Sequence, residues 1–167
     1  MIMTIGNKVF YPFQGLCIIG PVVKRVMNGK AMRFYHLSVL DDGGDLFVPV
    51  DKIATVGMRP LLKRSEIPEL LNHLKLKPSS QPRPGHHYSQ RALLNAQLIT
   101  SGSAFDLAEI VSSLTEFSAA RSLSYGQKKT LDKAKRLLIC EISEVTGETK
   151  EEVEAQIDQA LKTQKKD

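Results

Sequence analysis

The 167-residue chain has no tryptophan, two cysteines and only 6% aromatic residues. Each shortage excludes something. Cys17 and Cys140 are far apart and sit among apolar neighbours, so neither a disulfide framework nor a zinc spacing can be built from them. They read as buried thiols in a reducing compartment. No run approaches the ~18 apolar residues that a membrane span requires. The first residues, Met1 to Gly6, lack a charged stretch followed by an apolar one, so no secretory signal is read there. The expectation is a cytoplasmic protein without membrane contact.

Catalytic signatures are missing too. There is no G-x-x-x-x-G-K-[ST] phosphate loop, no H-E-x-x-H, no C-x-x-C and no G-x-S-x-G. Asp41, Asp42 and Asp45 are crowded, but their spacing is wrong for an EF-hand loop and no later bidentate Glu follows. They read as a hairpin turn. His86 and His87 are adjacent, and in an extended segment adjacent side chains point opposite ways, against a shared metal. No catalytic residue, metal or cofactor is expected.

What is present is a folded protein with cations in excess. The apolar fraction is 42% and the charged fraction 25%, ordinary for one domain or two small ones. The net charge of +5 is uneven. Residues 1–78 carry 11 Lys/Arg against 6 Asp/Glu, residues 79–139 carry 8 against 4, and residues 140–167 carry 4 against 8. A basic first two thirds suits phosphate binding by counterion release, or equally a solvated surface of mixed charge.

Residues 1–58 read as four or five short strands. Val9 to Tyr11 is β-prone and stops at Pro12. Leu16 to Val23 is a second apolar run. Asn28-Gly29 is a hairpin signal, because a primed turn needs positive φ values. Tyr35, Leu37 and Val39 then alternate with His36 and Ser38, and Leu46, Val48 and Val50 alternate again after the Asp41–Asp45 turn. So many short strands in so few residues predict a small, curled β barrel. Residues 65–76 predict a helix with Ser65 as N-cap and Pro68 in its first turn. Residues 77–87 hold three prolines and predict a linker or long loop.

Four helices should follow. The first covers 88–100 and stops at Gly102. Ser103 with Asp106 starts the second, whose Leu107, Ile110, Val111 and Leu114 make one stripe. Ser124 with Gln127 opens the third, which carries Leu131, Ala134, Leu138, Ile142 and Val145 and ends at Gly147. Thr149 with Glu152 opens the last, with Val153, Ile157 and Leu161 on a face. The fold class is α+β: a β domain over 1–60, a helix and Pro-rich linker over 61–87, and a helical domain over 88–164.

One segment stands out for binding. Arg83, His86, His87, Tyr88 and Arg91 place an aromatic among bases at a helix start, where phosphate is also favoured. Minor-groove binders use an aromatic or apolar wedge beside such cations. Alternatively, Tyr88 packs onto its own helix. A second basic group includes Lys128 and Lys129 near the start of the third helix, either a patch or a solvated face.

These motifs carry a resemblance. Gly6-Asn7-Lys8-Val9-Phe10-Tyr11-Pro12-Phe13-Gln14-Gly15 resembles the G-D-x-V-V-Y-P-x-H-G opening of the CarD/CdnL family of bacterial transcription regulators, with Asn7 for the usual Asp and Gln14 for the usual His. Tyr35-His36-Leu37, Val48-Pro49-Val50-Asp51 and Gly57-Met58-Arg59 continue it. The S-G-S…L-A-E-I-V…L-S-Y-G-Q-K-K…L-x-K-A pattern over 101–134 is similar to the family's helical domain. The absence of ATPase motifs separates the chain from the transcription-repair coupling factor, which shares the first module.

The resemblance implies a Tudor-like barrel that binds the β subunit of RNA polymerase, with Lys24, Arg25, Phe47 and Pro49 as contacts. It also implies a helical domain that binds promoter DNA in the minor groove, largely independent of sequence, at the upstream edge of the melted region. Tyr88 stands where the family has a Trp wedge. Arg91 and Lys128 match basic positions, whereas Gln90 and Leu93 stand where bases are common. Arg83 and His87 complete the candidate DNA-binding set. The implied protein is a monomer, associated with the nucleoid through polymerase, that stabilises the open complex. Two other readings stay open: an adaptor on polymerase without a DNA function, and an RNA-binding module on a KOW-like barrel.

Overall fold

The computed structural model describes residues 3–75 and 103–164. The chain is α+β and divides into two units, Met1–Leu61 and Leu62–Asp167.

The first unit is an antiparallel sheet of β1 (Lys8–Tyr11), β2 (Gly15–Met27), β3 (Lys30–Val39), β4 (Asp45–Pro49) and β5 (Arg59–Pro60), in the order β4-β3-β2-β1-β5. The alternation read from the sequence is the burial pattern. Leu37 and Val39 meet Val9, Cys17, Ile19 and Val48 in one buried cluster, flanked by Ile53, Val56 and Met58. The Asn28-Gly29 turn has φ of 52° and 77°, the two positive values that its sequence supplies. β2 carries an extra residue between Ile19 and Val22, where its pairing passes from Leu37 to Tyr35. Gly20 sits in this irregularity, and a Cβ there would stand 2.9 Å from the His36 carbonyl oxygen. Asp42 closes the acidic turn by accepting from the Gly44 N–H at 2.8 Å.

Two features of this unit go beyond the segments named from sequence. β2 and β3 run on to Met27 and back from Lys30, well past the core, as a two-stranded arm. β5 is a short fifth strand on β1, and its Arg59 lays its guanidinium 4.2 Å from the ring centroid of the fully buried Phe10.

The second unit contains α1 (Ile67–Lys75), α2 (Ala104–Ala120), α3 (Tyr125–Thr146) and α4 (Lys150–Gln164). Leu107, Ile110, Val111 and Leu114 of α2 are buried together with Ala134, Leu138 and Ile142 of α3 and Val153, Ile157 and Leu161 of α4. The caps form as their sequences predict. Ser124 Oγ accepts from the Gln127 N–H at 3.1 Å while Gln127 Oε1 accepts from the Ser124 N–H at 3.0 Å. Thr149 and Glu152 exchange the same pair of bonds at 3.1 and 3.0 Å. Gly147 ends α3 with φ 78°.

α1 departs from the sequence reading twice. Ser65 does not cap it: residues Arg64–Glu66 form a 3₁₀ turn, and the Glu66 carboxylate accepts the Lys63 N–H at 2.9 Å. The helix also packs against α2 and α4 inside the helical unit, whereas the sequence boundaries put it in a connecting segment. Ile67, Leu70 and Leu74 supply its buried face. His73 adds a 3.1 Å bond to Glu109 of α2. Just before α1, the Leu62 N–H donates at 2.8 Å to Glu141 Oε2 of α3, a carboxylate with no exposed surface.

Candidate functional site

The arm of the first unit is basic and apolar throughout. Residues 20–34 contain Lys24, Arg25, Lys30 and Arg33 and no carboxylate. The register sets Lys24 directly opposite Arg33 and Arg25 opposite Met32. Like charges facing each other across a strand pair are destabilising. Both side chains are exposed, and among the described residues neither is in an ion pair. Val22, Val26, Met27 and Met32 lie exposed between the cations, Val26 to 75%.

Next to the arm, four side chains form a ladder. Asp45 Oδ1 accepts from His36 Nε2 at 2.8 Å. The His36 ring stacks on Phe47 with centroids 4.9 Å apart and an interplanar angle of 11°. The Arg25 guanidinium lies 4.2 Å from the Phe47 centroid. A guanidinium held on a ring keeps its in-plane donors available for a carboxylate. Of the residues picked from sequence, the structure thus brings Arg25 and Phe47 together. It places Lys24 on the same arm, and Pro49 two residues along β4, half-buried and paired with Phe34.

The sequence reading does not single out Arg33 and Met32, and it takes His36 and Asp45 only as strand and turn residues. The signal for them was present: the Asn28-Gly29 turn fixes Met27 opposite Lys30, and counting back gives Arg33 opposite Lys24.

In the helical unit, Lys128 is exposed in the first turn of α3, next to Lys129. Arg83, His86, His87, Tyr88 and Arg91, with the linker over 77–87 and the helix expected over 88–100, lie outside the described residues. Among the described residues no group of three or more His, Cys, Asp or Glu side chains could hold a metal ion, and no helix is long and apolar enough to cross a membrane. Cys17 is fully buried, and burial, with a smaller contribution from the charge of Asp42, raises its thiol pKa to about 11. Cys140 is only half-buried.

Fold and surfaces together define a class: a two-unit α+β protein that carries groups of exposed cations, without ion pairs among the described residues, on an arm of one unit and at a helix start of the other. Comparison with known proteins gives the family. Residues 3–62 match the CarD-like/TRCF RID domain, and residues 69–158 match the C-terminal domain of CarD. The second match alone spans more than half of the chain, and the protein belongs to the CarD family. A Bacillus subtilis (strain 168) protein named "Putative transcription factor YdeB" is 23% identical over 151 residues, 90% of this chain and 97% of that one. The solution NMR structure of the 72-residue N-terminal domain of Myxococcus xanthus CarD is 28% identical, covering 35% of this chain and 77% of its own, with a TM-score of 0.29. The family is one of transcription-associated regulators that interact with RNA polymerase, and it is not a known enzyme class.

Proposed function

We propose that the chain binds the β subunit of RNA polymerase through the β2–β3 arm and the Phe47 edge of β4, and promoter DNA through its helical unit. Binding at the upstream edge of the melted region would stabilise the open complex. The observation that carries the polymerase half is the arm itself: Lys24 facing Arg33, Arg25 laid on Phe47, apolar side chains between them, and no carboxylate within residues 20–34. Such a surface fits a protein partner that offers carboxylates beside an apolar strip. Exposed strand edges also suit pairing with a partner strand.

The DNA half is supported by the family and by Lys128 at the start of α3. In this reading Tyr88 is the wedge, and Arg83, His87, Arg91 and Lys128 hold phosphates. Contacts of this kind carry little base information, so binding is largely independent of sequence. The arm raises the local concentration of the helical unit on DNA, so a weak DNA contact suffices. The protein would act as a cytoplasmic monomer, associated with the nucleoid through polymerase.

The test is a pull-down of polymerase holoenzyme by the full chain and by Arg25→Glu. The variant is expected to lose about tenfold in affinity, equivalent to about 1.4 kcal/mol. Unchanged binding would remove the arm from the interface. A second reading, a polymerase adaptor without DNA contact, is favoured by the absence of tryptophan and by Gln90 and Leu93 at positions where the family is often basic. Salt-independent behaviour on forked promoter DNA would select it.

A further inference from the structure

A cluster at the start of α3 goes beyond the single cation assigned there. Tyr125, the first residue of the helix, is 74% exposed. Lys129, one turn on, holds its Nζ 4.7 Å from the ring centroid. The ammonium covers one face of the ring and leaves the other to solvent. Lys128 lies in the same turn. Arg121, at the end of α2, is exposed four residues before Tyr125. No carboxylate occurs between Phe117 and Leu131, and the next, Asp132, lies exposed one turn after Lys128 and Lys129. Among the described residues none of these three cations is in an ion pair. Lys135, further along the same helix, is by contrast bound by Asp158 at 2.7 Å and lies 3.9 Å from Glu154. Gly126 adds room, because a Cβ there would meet nothing within 4 Å.

We propose that Tyr125 is a stacking contact for promoter DNA. The open face of its ring takes an unstacked base or a sugar, Lys129 steadies the ring from behind, and Lys128 and Arg121 take the flanking phosphates. The inference rests on the DNA-binding reading above and adds a residue to it. Three chemical features select DNA as the occupant. The patch sets Arg121, Lys128 and Lys129 against one nearby carboxylate, Asp132, and so keeps a net positive charge, as a polyanion requires. A ring face accepts any base, so the contact suits a factor that does not read sequence. The lysine already confines the ring, so less side-chain freedom is lost on binding.

The experiment is a titration of the full chain against fluorescently labelled promoter DNA, either duplex or with an unpaired bubble, over a salt series starting from low ionic strength. Tyr125→Ala, Tyr125→Phe and Lys128→Gln are compared with the wild type, with circular dichroism melting to verify each fold. Tyr125→Ala should weaken binding to bubble DNA about tenfold with an unchanged salt slope. Tyr125→Phe should bind like the wild type. Lys128→Gln should lower the salt slope by about one. If Lys128→Gln acts as stated and Tyr125→Ala does nothing, the stacking role is overturned while the DNA reading survives. Equal losses in Tyr125→Phe and Tyr125→Ala would assign the effect to the hydroxyl and also overturn it. A wild type that binds no DNA at low salt ends both readings. Weakened binding of Tyr125→Ala to polymerase without DNA would make the patch a protein contact, against the proposal.

Discussion

Lys24 and Arg33 face one another on an exposed ribbon where folding alone would favour opposite charges. Replacing Arg33 with Glu should therefore separate stability from function. The variant gains a cross-strand ion pair, and its unfolding free energy in urea should stay level or rise by about 0.2–1 kcal/mol. Its affinity for polymerase should nevertheless fall about tenfold. A variant that is both less stable and equally well bound would contradict the account. Cys17 gives a second residue-scale test. Its thiol is held from an ordinary value of 9.0 up to about 11 by burial. Below pH 9 the thiol keeps its proton in both states and contributes no pH dependence. Between about pH 9 and 11 the unfolded chain loses this proton and the folded chain does not, so stability falls as pH rises. Urea denaturation of Cys17→Ala should show a shallower decline over that window than the wild type, and parallel curves would refute the assignment. At this scale the sequence was partly legible. The sequence names Lys24, Arg25 and Phe47, which the structure sets on or beside one arm, but the place of Arg33 opposite Lys24 follows only from the register set by the turn. Tyr125 was missed because exposure of a ring is decided by the packing of α2, α3 and α4, which no local pattern states.

Helix ends were the most readable elements, because a cap is a local bargain between a side chain and the next turn's N–H groups. Ser103, Ser124, Thr149 and Gly147 all do in the structure what their spacing implies. Ser124→Ala should lower stability by about 1 kcal/mol, measured by urea denaturation. A loss below a few tenths would mean that the Gln127 half of the box suffices. Where elements were misjudged, the cause was tertiary. Ser65 carries a capping side chain, yet the Glu66 carboxylate takes the orphan N–H and tightens the turn. α1 looks like a linker helix because prolines follow it, but Leu70 and Leu74 are fully buried within the helical unit. The two-residue β5 has almost no sequence signal, since its place is set by pairing with β1 and by Arg59 over Phe10.

On the scale of the whole molecule, two units of different architecture carry separate cationic surfaces, and neither surface is neutralised by its own unit among the described residues. Under the proposed function, this is how a chain without tryptophan would keep a role at promoters. On the proposed reading the polymerase contact would supply recruitment, and the DNA contact would then operate at high local concentration. Disabling the arm should abolish the effect on promoters even with every helical-unit cation in place. The α+β class, the order of the two units and the family were all legible beforehand, because they rest on long periodic patterns and on ten-residue motifs. The most direct test of the central claim is the lifetime of the open complex formed by bacterial RNA polymerase holoenzyme on a ribosomal-type promoter, with and without the protein. The account predicts a longer lifetime with the wild-type chain, and with Arg25→Glu the same effect only at about tenfold higher protein concentration. An unaltered lifetime while the wild type remains bound to polymerase would contradict it.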